Sequence, residues 1–541
     1  GTHRLLNTQP TSRREVLAAA LMCASGSLLV AAVAIDTTTR SLASAEESYR
    51  VRRALFQNGR ATTVEVIHTH GSVVFLVGEH VYKFKRPVDL GFLDYSSFER
   101  RVAMCEAEVE LNRRLAPAVY HGVVMLRDGP QGPWLGDTGA PLEPAVHMRR
   151  LPDDVTMAHR VATDTLTRGD IVRVAEVLRR FHATARRGPD VRAWAEPEPV
   201  EHNAADNFAA LRERPELCPP ALLERLAIVD AERWHALRDC VAGRAPLACE
   251  GHGDLRLEHV YLMPPDGEPW VVDCVEFDLR LRAVDPVCDL AFLAMDLQCH
   301  GAWWAAEQLW QASLDDDDRD ARALVPSYVA YRSLVRAKVR GLQLDGARDP
   351  QTRASLATLV RAHLLQAAAV LLPPTERPSL VLVAGLPGTG KSVLAHGLEQ
   401  HAGYTWLRAD AIRKELAGLD PTVSAHTDVR AGIYTPAWND RTYDACLQRA
   451  RAVLEQGGRA VVDASFKQEH RRLAFVDLAR ELGVPVRLLV CEADPEAVRH
   501  RLAARHDDAS DADWSIYEHI RATWEPYGPR CAAIVGVVDT S

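Results

Sequence analysis

The run Gly385-Leu386-Pro387-Gly388-Thr389-Gly390-Lys391-Ser392 has the residue types and spacing of a phosphate cradle, Gly-x-x-x-x-Gly-Lys-Ser. Glycines let backbone N–H groups close around phosphate oxygens, and the N-terminus of a following helix adds partial positive charge. In this pattern Lys391 reaches the β- and γ-phosphates and the Ser392 hydroxyl ligates Mg²⁺. Gly385, Pro387, Gly388, Thr389, Gly390, Lys391 and Ser392 are therefore candidate nucleotide-binding residues. Ala460-Val461-Val462-Asp463 is an apolar strand ending in a carboxylate, suited to hold a Mg²⁺-bound water beside such a cradle. A second set of chemistry begins at His252-Gly253-Asp254, runs through His259, and reaches Val271-Val272-Asp273. Phosphoryl transfer needs one carboxylate to accept a hydroxyl proton and others to hold Mg²⁺ against the phosphates. Asp285 and Asp289 follow, read either as part of that set or as structural carboxylates capping a helix.

These residues need strands and helices to position them. Leu380 to Ala384 reads as a buried strand entering the cradle, and Val393 to Gln400 as the helix leaving it. The segment beyond residue 379 alternates apolar strands with helices, closing on a strand from Cys531 to Val538, as a parallel α/β domain does. Nearer the N-terminus, Thr63 to His68, Ser72 to Val77 and His80 to Lys85 read as three strands with turns at Gly71 and Gly78. A helix from Ser97 to Leu115 carries Glu106 and Glu108, and further strands are expected at Tyr120 to Leu126 and Ala145 to Arg150. Helical periodicity then dominates from Arg168 to Ala185 and recurs to about Val241. A small β-rich lobe followed by a helical lobe outlines a kinase-like fold. The expected class is multidomain α/β and α+β, a two-lobed protein-kinase-like domain followed by a P-loop domain with a parallel sheet.

The chain has 541 residues, too many for one core. The expected division is an extension over 1–55, a kinase-like domain over 56–370, a Pro-rich linker over 371–378 and a P-loop domain over 379–541. A formal charge of -9 gives no support to a nucleic-acid partner. The 11 cysteines are scattered with no Cys-x-x-Cys pair and no His/Cys ligand spacing, which points to reduced, mostly core thiols and away from a disulfide frame or a zinc site. Val16 to Ile35 is free of charge and follows Arg13-Arg14, so it reads as an export signal, a membrane anchor or a buried helix. An ATP-dependent chemistry favours the cytoplasm. Asp315 to Asp318 reads as a solvated loop at a helix start.

Three phrases carry a resemblance: Tyr82-Lys-Phe-Lys-Arg-Pro-Val-Asp-Leu-Gly-Phe-Leu-Asp94, Glu106-Ala-Glu-Val-Glu-Leu-Asn-Arg-Arg-Leu115 and Asp289-Leu-Ala-Phe-Leu-Ala-Met-Asp-Leu297. With the Asp254 and Asp273 motifs, they make residues from about 60 to 365 resemble the aminoglycoside phosphotransferase-like kinases, in the branch fused to a C-terminal P-loop ATPase. The resemblance implies ATP and Mg²⁺ as cofactors, Asp254 as catalytic base and Asp273 as the principal Mg²⁺ ligand. It also implies that Lys83, or Lys85 on the same strand face, pairs with the ATP phosphates and is held by Glu108. Two departures stand out. The family loop ends in Asn five residues after the Asp, where this chain has His259, an imidazole that can ligate a metal but suits Mg²⁺ poorly. No glycine-rich phosphate loop of kinase type lies between the first strands.

In the P-loop half, Asp410-x-x-Arg413 just beyond a strand resembles small P-loop kinases of the gluconate kinase and zeta-toxin type. That resemblance puts Asp410 near an acceptor hydroxyl and Arg413 near acceptor or phosphate; the alternative is an N-cap Asp with an ordinary helix Arg. Arg499, Arg501 and Arg505 are either a phosphate-neutralising lid or a solvated face. The leading expectation is an ATP- and Mg²⁺-dependent phosphotransferase acting on hydroxyls of a small-molecule acceptor. The alternatives are an ATP-hydrolysing regulatory protein with a degenerate kinase-like domain, and a polynucleotide 5′-kinase, which the acidic balance disfavours.

Overall fold

The computed structural model describes residues 64–69, 71–89, 94–130, 132–263, 267–419, 433, 435–504 and 514–541. The 1–55 extension, with its apolar stretch, and Arg505 lie outside the described residues. The chain forms two compact units. One comprises Gly1–Leu211, Ala231–Leu297 and Trp304–Ala357; the other comprises Arg212–Asp230, Gln298–Trp303 and Thr358–Ser541. The edge of the second unit therefore falls inside the helix Pro350–Leu371, upstream of the Pro-rich 371–378 segment.

The first unit opens on six strands, β1 Glu65–His68, β2 Ser72–Val77, β3 His80–Lys85, β4 Tyr120–Asp128, β5 Trp134–Leu135 and β6 Ala140–Arg149. They form one sheet in the order β1-β2-β3-β6-β4-β5, antiparallel throughout. Both faces are covered, and side chains alternate between them. Val74, Leu76, Val81, Val146 and Met148 pack on one face with Cys105 and Val109. Phe75, Val77, Tyr82, Phe84, Leu126 and Ala145 fill the other. The helix α1, Phe98–Arg113, supplies Cys105 and Val109, and Ser97 caps it by accepting from the Arg100 N–H. The helical part of this unit includes α2 Arg168–Thr184, begun by a reciprocal Thr167/Asp170 capping box, α3 Pro286–Cys299 and α4 Arg319–Gly346. Asp318, the last of the expected solvated acidic run, caps α4 and also pairs with Arg244.

Four two-residue strands, β7 Cys249–Glu250, β8 Val260–Tyr261, β9 Trp270–Val271 and β10 Ala283–Val284, form two small antiparallel ladders. They bracket the His252–His259 loop and the Asp273 turn. The second unit carries β11 Ser379–Gly385, β12 Thr405–Arg408, β13 Arg459–Asp463, β14 Val486–Glu492 and β15 Val535–Asp539, all parallel, in the order β12-β13-β11-β14-β15. Its central strand is an almost continuous buried apolar run, as helices over both faces of a parallel sheet require. β15 starts later than expected: Pro529 begins a short helix, Pro529–Ala532, and the strand follows it.

Ten cysteines fall among the described residues, all as free thiols and eight of them buried. Burial pushes the Cys105 and Cys274 thiols up to about 12, which keeps them protonated and unreactive. The helix Pro350–Leu371 has the length and mean hydropathy (1.4) to cross a membrane, but most of its residues from Val360 onward are buried inside the fold.

Candidate active sites

In the first unit, β3 sends Lys83 and Lys85 to the face that α1 covers, two residues apart as the strand period requires. Glu108, fully buried on α1, meets both. Its Oε1 is 2.9 Å from Lys83 Nζ, and its Oε2 contacts Lys85. The lysines then diverge. Lys83 reaches Asp273 Oδ1 at 3.0 Å, while Lys85 pairs with Glu276, which also accepts from the Tyr95 hydroxyl at 2.8 Å. Lys83 keeps a partly exposed side chain and Lys85 is sealed. Burial pulls the Lys83 ammonium down, but Asp273 and Glu108 outweigh that and hold it well above the usual lysine range. The same pairing acts on Asp273. Burial would raise its carboxyl, yet Lys83, then His259 and Arg256, hold it well below the carboxylate range.

Asp273 has φ +64, a left-handed conformation that Asp and Asn tolerate better than other non-glycine residues. Its turn is fastened to α1: Cys274 N–H donates to Asn112 Oδ1 at 2.8 Å, and Asn112 Nδ2 donates to the Glu108 carbonyl at 2.9 Å. The carboxylate that meets the lysines and the amide that fixes the Asp273 turn therefore sit one helical turn apart. Arg114, just past the helix, donates to the carbonyls of Glu250 and Gly251, anchoring the strand that leads to Asp254.

Asp254 is buried. Arg256 Nε donates to its Oδ2 at 3.0 Å, whereas its Oδ1 has no hydrogen-bond partner among the described residues. Burial pushes this carboxyl up, against the pull of Arg256 and His259. His259 Nδ1 lies 2.8 Å from the Asp254 carbonyl, which can only accept, so Nδ1 carries the hydrogen. Its Nε2 then accepts from Arg256 at 3.1 Å and faces Asp273 Oδ2 at 3.6 Å. His259 thus stands between the two aspartates. His252, pushed down to about 4 by burial, is neutral and packs as part of the loop wall.

Asp289 is fully buried and structural. It accepts from the backbone N–H groups of His252 (2.8 Å) and Gly253 (3.0 Å) and pairs with His182 at 3.0 Å. Asp285 is also structural, held two-pronged by Arg244 at 2.7 and 3.1 Å. Asp289→Ala is expected to destabilise this unit by about 2–6 kcal/mol, because it orphans two buried N–H groups at about 1–3 kcal/mol each. Urea unfolding checks it. Burial favours the neutral acid, but His182, His252 and the backbone donors hold the Asp289 carboxyl well below the usual carboxylate range. Its contribution is therefore present above the unfolded value of about 4 and is lost as pH falls through the lower folded value.

In the second unit, β11 runs into Gly385 and the loop ends in Gly390, which starts the helix α5, Lys391–Ala402, at φ +83. Ser392 Oγ donates to Asp463 Oδ2 at 2.7 Å, and Lys391 Nζ donates back to the Leu386 carbonyl at 2.8 Å. Parallel register sets Val383 and Arg408 on either side of Asp463, so the ends of three adjacent strands converge on the loop. Ligands of open α/β sheets bind at this carboxyl edge. Burial pushes the Asp463 carboxyl up, against Lys391 and Ser392. Asp410 lies in the first turn of the helix α6, Ala409–Leu416, whose N-cap position is Arg408; Arg413 is buried one turn further on. Arg501, on the helix α7 Pro495–Ala503, donates to the Thr540 carbonyl at 2.7 Å, and the Thr540 hydroxyl donates to the Thr389 carbonyl. It is therefore one residue removed from the loop. Arg499 lies over the Trp514 ring instead.

Gly388 combines φ +79 with a close approach to α7: a Cβ there would sit 2.9 Å from Val498 and 3.1 Å from Leu502. Gly388→Ala is expected to weaken nucleotide binding to this loop by about tenfold, near 1.4 kcal/mol, from strain of about 1–3 kcal/mol. Isothermal titration with nucleotide on the Asp254→Asn background checks it.

Sequence reasoning passed over Asn112, Tyr95, Glu276 and Arg256. Asn112 carried a readable signal, its i,i+4 spacing from Glu108 on one helix face.

Residues 380–527 match a family model described as AAA domain. Among solved structures, a choline/ethanolamine kinase family protein from Mesorhizobium loti is 15% identical, with a TM-score of 0.38, over 61% of this chain and 95% of that one. The GDP complex of wild-type aminoglycoside 2′-phosphotransferase-IIIa gives 15% identity and a TM-score of 0.38 over 59% of this chain and 98% of that one. A sugar kinase from Janibacter sp. HTCC2649 matches 30% of this chain and 85% of its own at 21% identity and a TM-score of 0.22. Along the whole chain, the uncharacterized protein Rv2004c of Mycobacterium tuberculosis is 31% identical over 457 residues, covering 84% of this chain and 88% of that one; Mb2027c of Mycobacterium bovis matches equally. The chain belongs to the family of these mycobacterial proteins, and its residues 380–527 match the AAA domain model.

Proposed function

We propose that the chain is an ATP- and Mg²⁺-dependent phosphotransferase acting on a hydroxyl group of a small molecule, with a second, kinase-type nucleotide centre in the P-loop unit. The observation that carries it is the Asp254 carboxylate: buried, oriented through one oxygen by Arg256, and with the other oxygen unpartnered. A general base needs that arrangement, because the unpartnered oxygen can take a hydroxyl proton without first breaking a bond. The donor set also fits Mg²⁺, a hard cation that prefers oxygen ligands. Asp273 would hold it in the first unit, and Ser392 with Asp463 in the second. Mg²⁺–ATP supplies the phosphoryl group and spreads its charge.

The remaining work falls to the chain. Lys83, steadied by Glu108, presents a positive charge beside Asp273 for the phosphates. His259 orients the Asp254 backbone and the Arg256 side chain, a role that needs no metal bond. Lys391 and the loop N–H groups hold the phosphates in the P-loop unit, with Asp410 and Arg413 on the acceptor side.

The test is transfer of labelled γ-phosphate from ATP to a metabolite extract by the full chain. A labelled small molecule whose formation falls on the order of 10²–10⁴-fold in Asp254→Asn supports the reading. ATP hydrolysis with no labelled product, unchanged in that variant, overturns it in favour of a regulatory ATPase. The raised Asp254 carboxyl adds a pH prediction. The base must be ionised, so transfer falls as pH drops, with a midpoint above the ordinary Asp value of about 3.9.

A further inference from the structure

On the sheet face opposite Lys83, three strands bring three imidazoles together. His80 begins β3, His121 lies on β4 and His147 on β6, the strand between them. One ring nitrogen from each lies within 4.8 Å of the other two, and His147 Nε2 is 3.0 Å from His80 Nδ1. The ring centroids of His147 are 5.0 Å from His80 and 4.8 Å from His121.

The backbone does something specific to achieve this. Tyr120 pairs with Met148 on the core face, and Gly122 pairs with His147 on the opposite face, so the register shifts by one residue between them. His121 is the extra residue of that irregularity. Alternation from Tyr120 places His121 on the face opposite that core, and the bulge keeps Gly122 on the same face beside it, across from His147. Tyr82 stacks flat on His147, with ring centroids 4.8 Å apart and planes 6° apart, and fixes that ring from beneath. His80 and His121 are exposed, so their rings can turn without disturbing the core.

We propose that His80, His121 and His147 form a binding site for a divalent transition metal of the Zn²⁺ type. Tetrahedral Zn²⁺ with bonds of about 2.0–2.1 Å places its nitrogen ligands about 3.3 Å apart, a spacing that small rotations of the two exposed rings reach. Imidazole ligands favour Zn²⁺, Ni²⁺ or Cu²⁺ over Mg²⁺ and Ca²⁺, so this site is chemically separate from the oxygen-lined phosphate centres. Three protein ligands leave a fourth position open to water or to another donor. A metal here clamps β3, β6 and β4, and β3 carries Lys83 on its other face.

The test uses the full chain without an oligohistidine tag, Zn²⁺ as the added probe, and millimolar Mg²⁺ throughout to occupy the oxygen sites. The wild type should retain a single equivalent of Zn²⁺ after dialysis and melt at a higher temperature with it. Co²⁺ in its place should give the visible absorption of a tetrahedral centre. His80→Ala and His121→Ala should each weaken retention by more than about tenfold, the loss that removing even an outer partner of a ligand causes. They should also abolish the melting shift while melting like the wild type without metal. His396→Ala, at an exposed histidine on α5, should change nothing. Failure of the wild type to retain Zn²⁺, or equal retention by all three variants, overturns the proposal.

Discussion

Asp273→Asn is expected to remove phosphoryl transfer by the kinase-like unit while leaving that unit folded. Asn is the informative replacement because Asp273 sits at φ +64, where Asn is among the few side chains that cost little. Alanine would add backbone strain and confuse the result. Shape and conformation are kept and only the negative charge goes. Lys83 is not stranded by the change, since Glu108 remains 2.9 Å away. A metal-holding carboxylate supports several kcal/mol of charge stabilisation in the transition state. Transfer should therefore drop on the order of a hundredfold or more. Labelled-product formation at saturating ATP measures it, alongside urea unfolding to confirm the fold. A variant that transfers phosphate at the wild-type rate would remove Asp273 from the mechanism.

Lys391→Ala should abolish nucleotide turnover in the P-loop unit and nothing else. Lys391 Nζ lies across the loop from α5, 2.8 Å from the Leu386 carbonyl, and its charge is the main positive one beside Asp463. Its loss should cost on the order of 10²–10³-fold in turnover, as for removal of a preorganised charge-stabilising donor. Calorimetric titration should show nucleotide stoichiometry falling from two per chain to one. If the product that depends on Asp254 disappears as well, the two units do not act independently, and P-loop turnover controls the other centre.

Much of this was legible because local rules and tertiary structure agree. Ser97 reads as the start of a helix and stands as the cap of α1; the glycine spacing from Gly385 to Gly390 reads as a phosphate loop and adopts left-handed backbone where it must. The apolar runs before Gly385 and Asp463 read as buried strands and pair side by side. What escaped depends on partners distant in sequence. Glu276 and Tyr95 gain meaning only once Lys85 meets Glu276, which also accepts from Tyr95. Asp289 reads as well for a member of the phosphoryl-transfer set as for a helix cap, and only the fold makes it the support of a loop thirty-six residues upstream. The His121 bulge is a property of two paired strands, so no periodicity within β4 announces it. The late start of β15 was in principle readable, since Pro529 favours a helical first turn over a strand.

The carboxylate that Lys83 and Lys85 share has a consequence for how this protein can change over generations. Glu108 splits its charge between two ammonium groups, each with a further acidic partner of its own. Loss of one lysine leaves Glu108 wholly to the other, tightening a contact that was formerly divided. Substitutions at positions 83, 85 and 108 will therefore show epistasis: the double-lysine variant should deviate from the sum of the single ones by about 0.5–3 kcal/mol. A lineage that first replaced Lys85 would tether Lys83 more firmly and slow its access to phosphate. The order in which mutations arrive would then decide which ancestors kept a working enzyme.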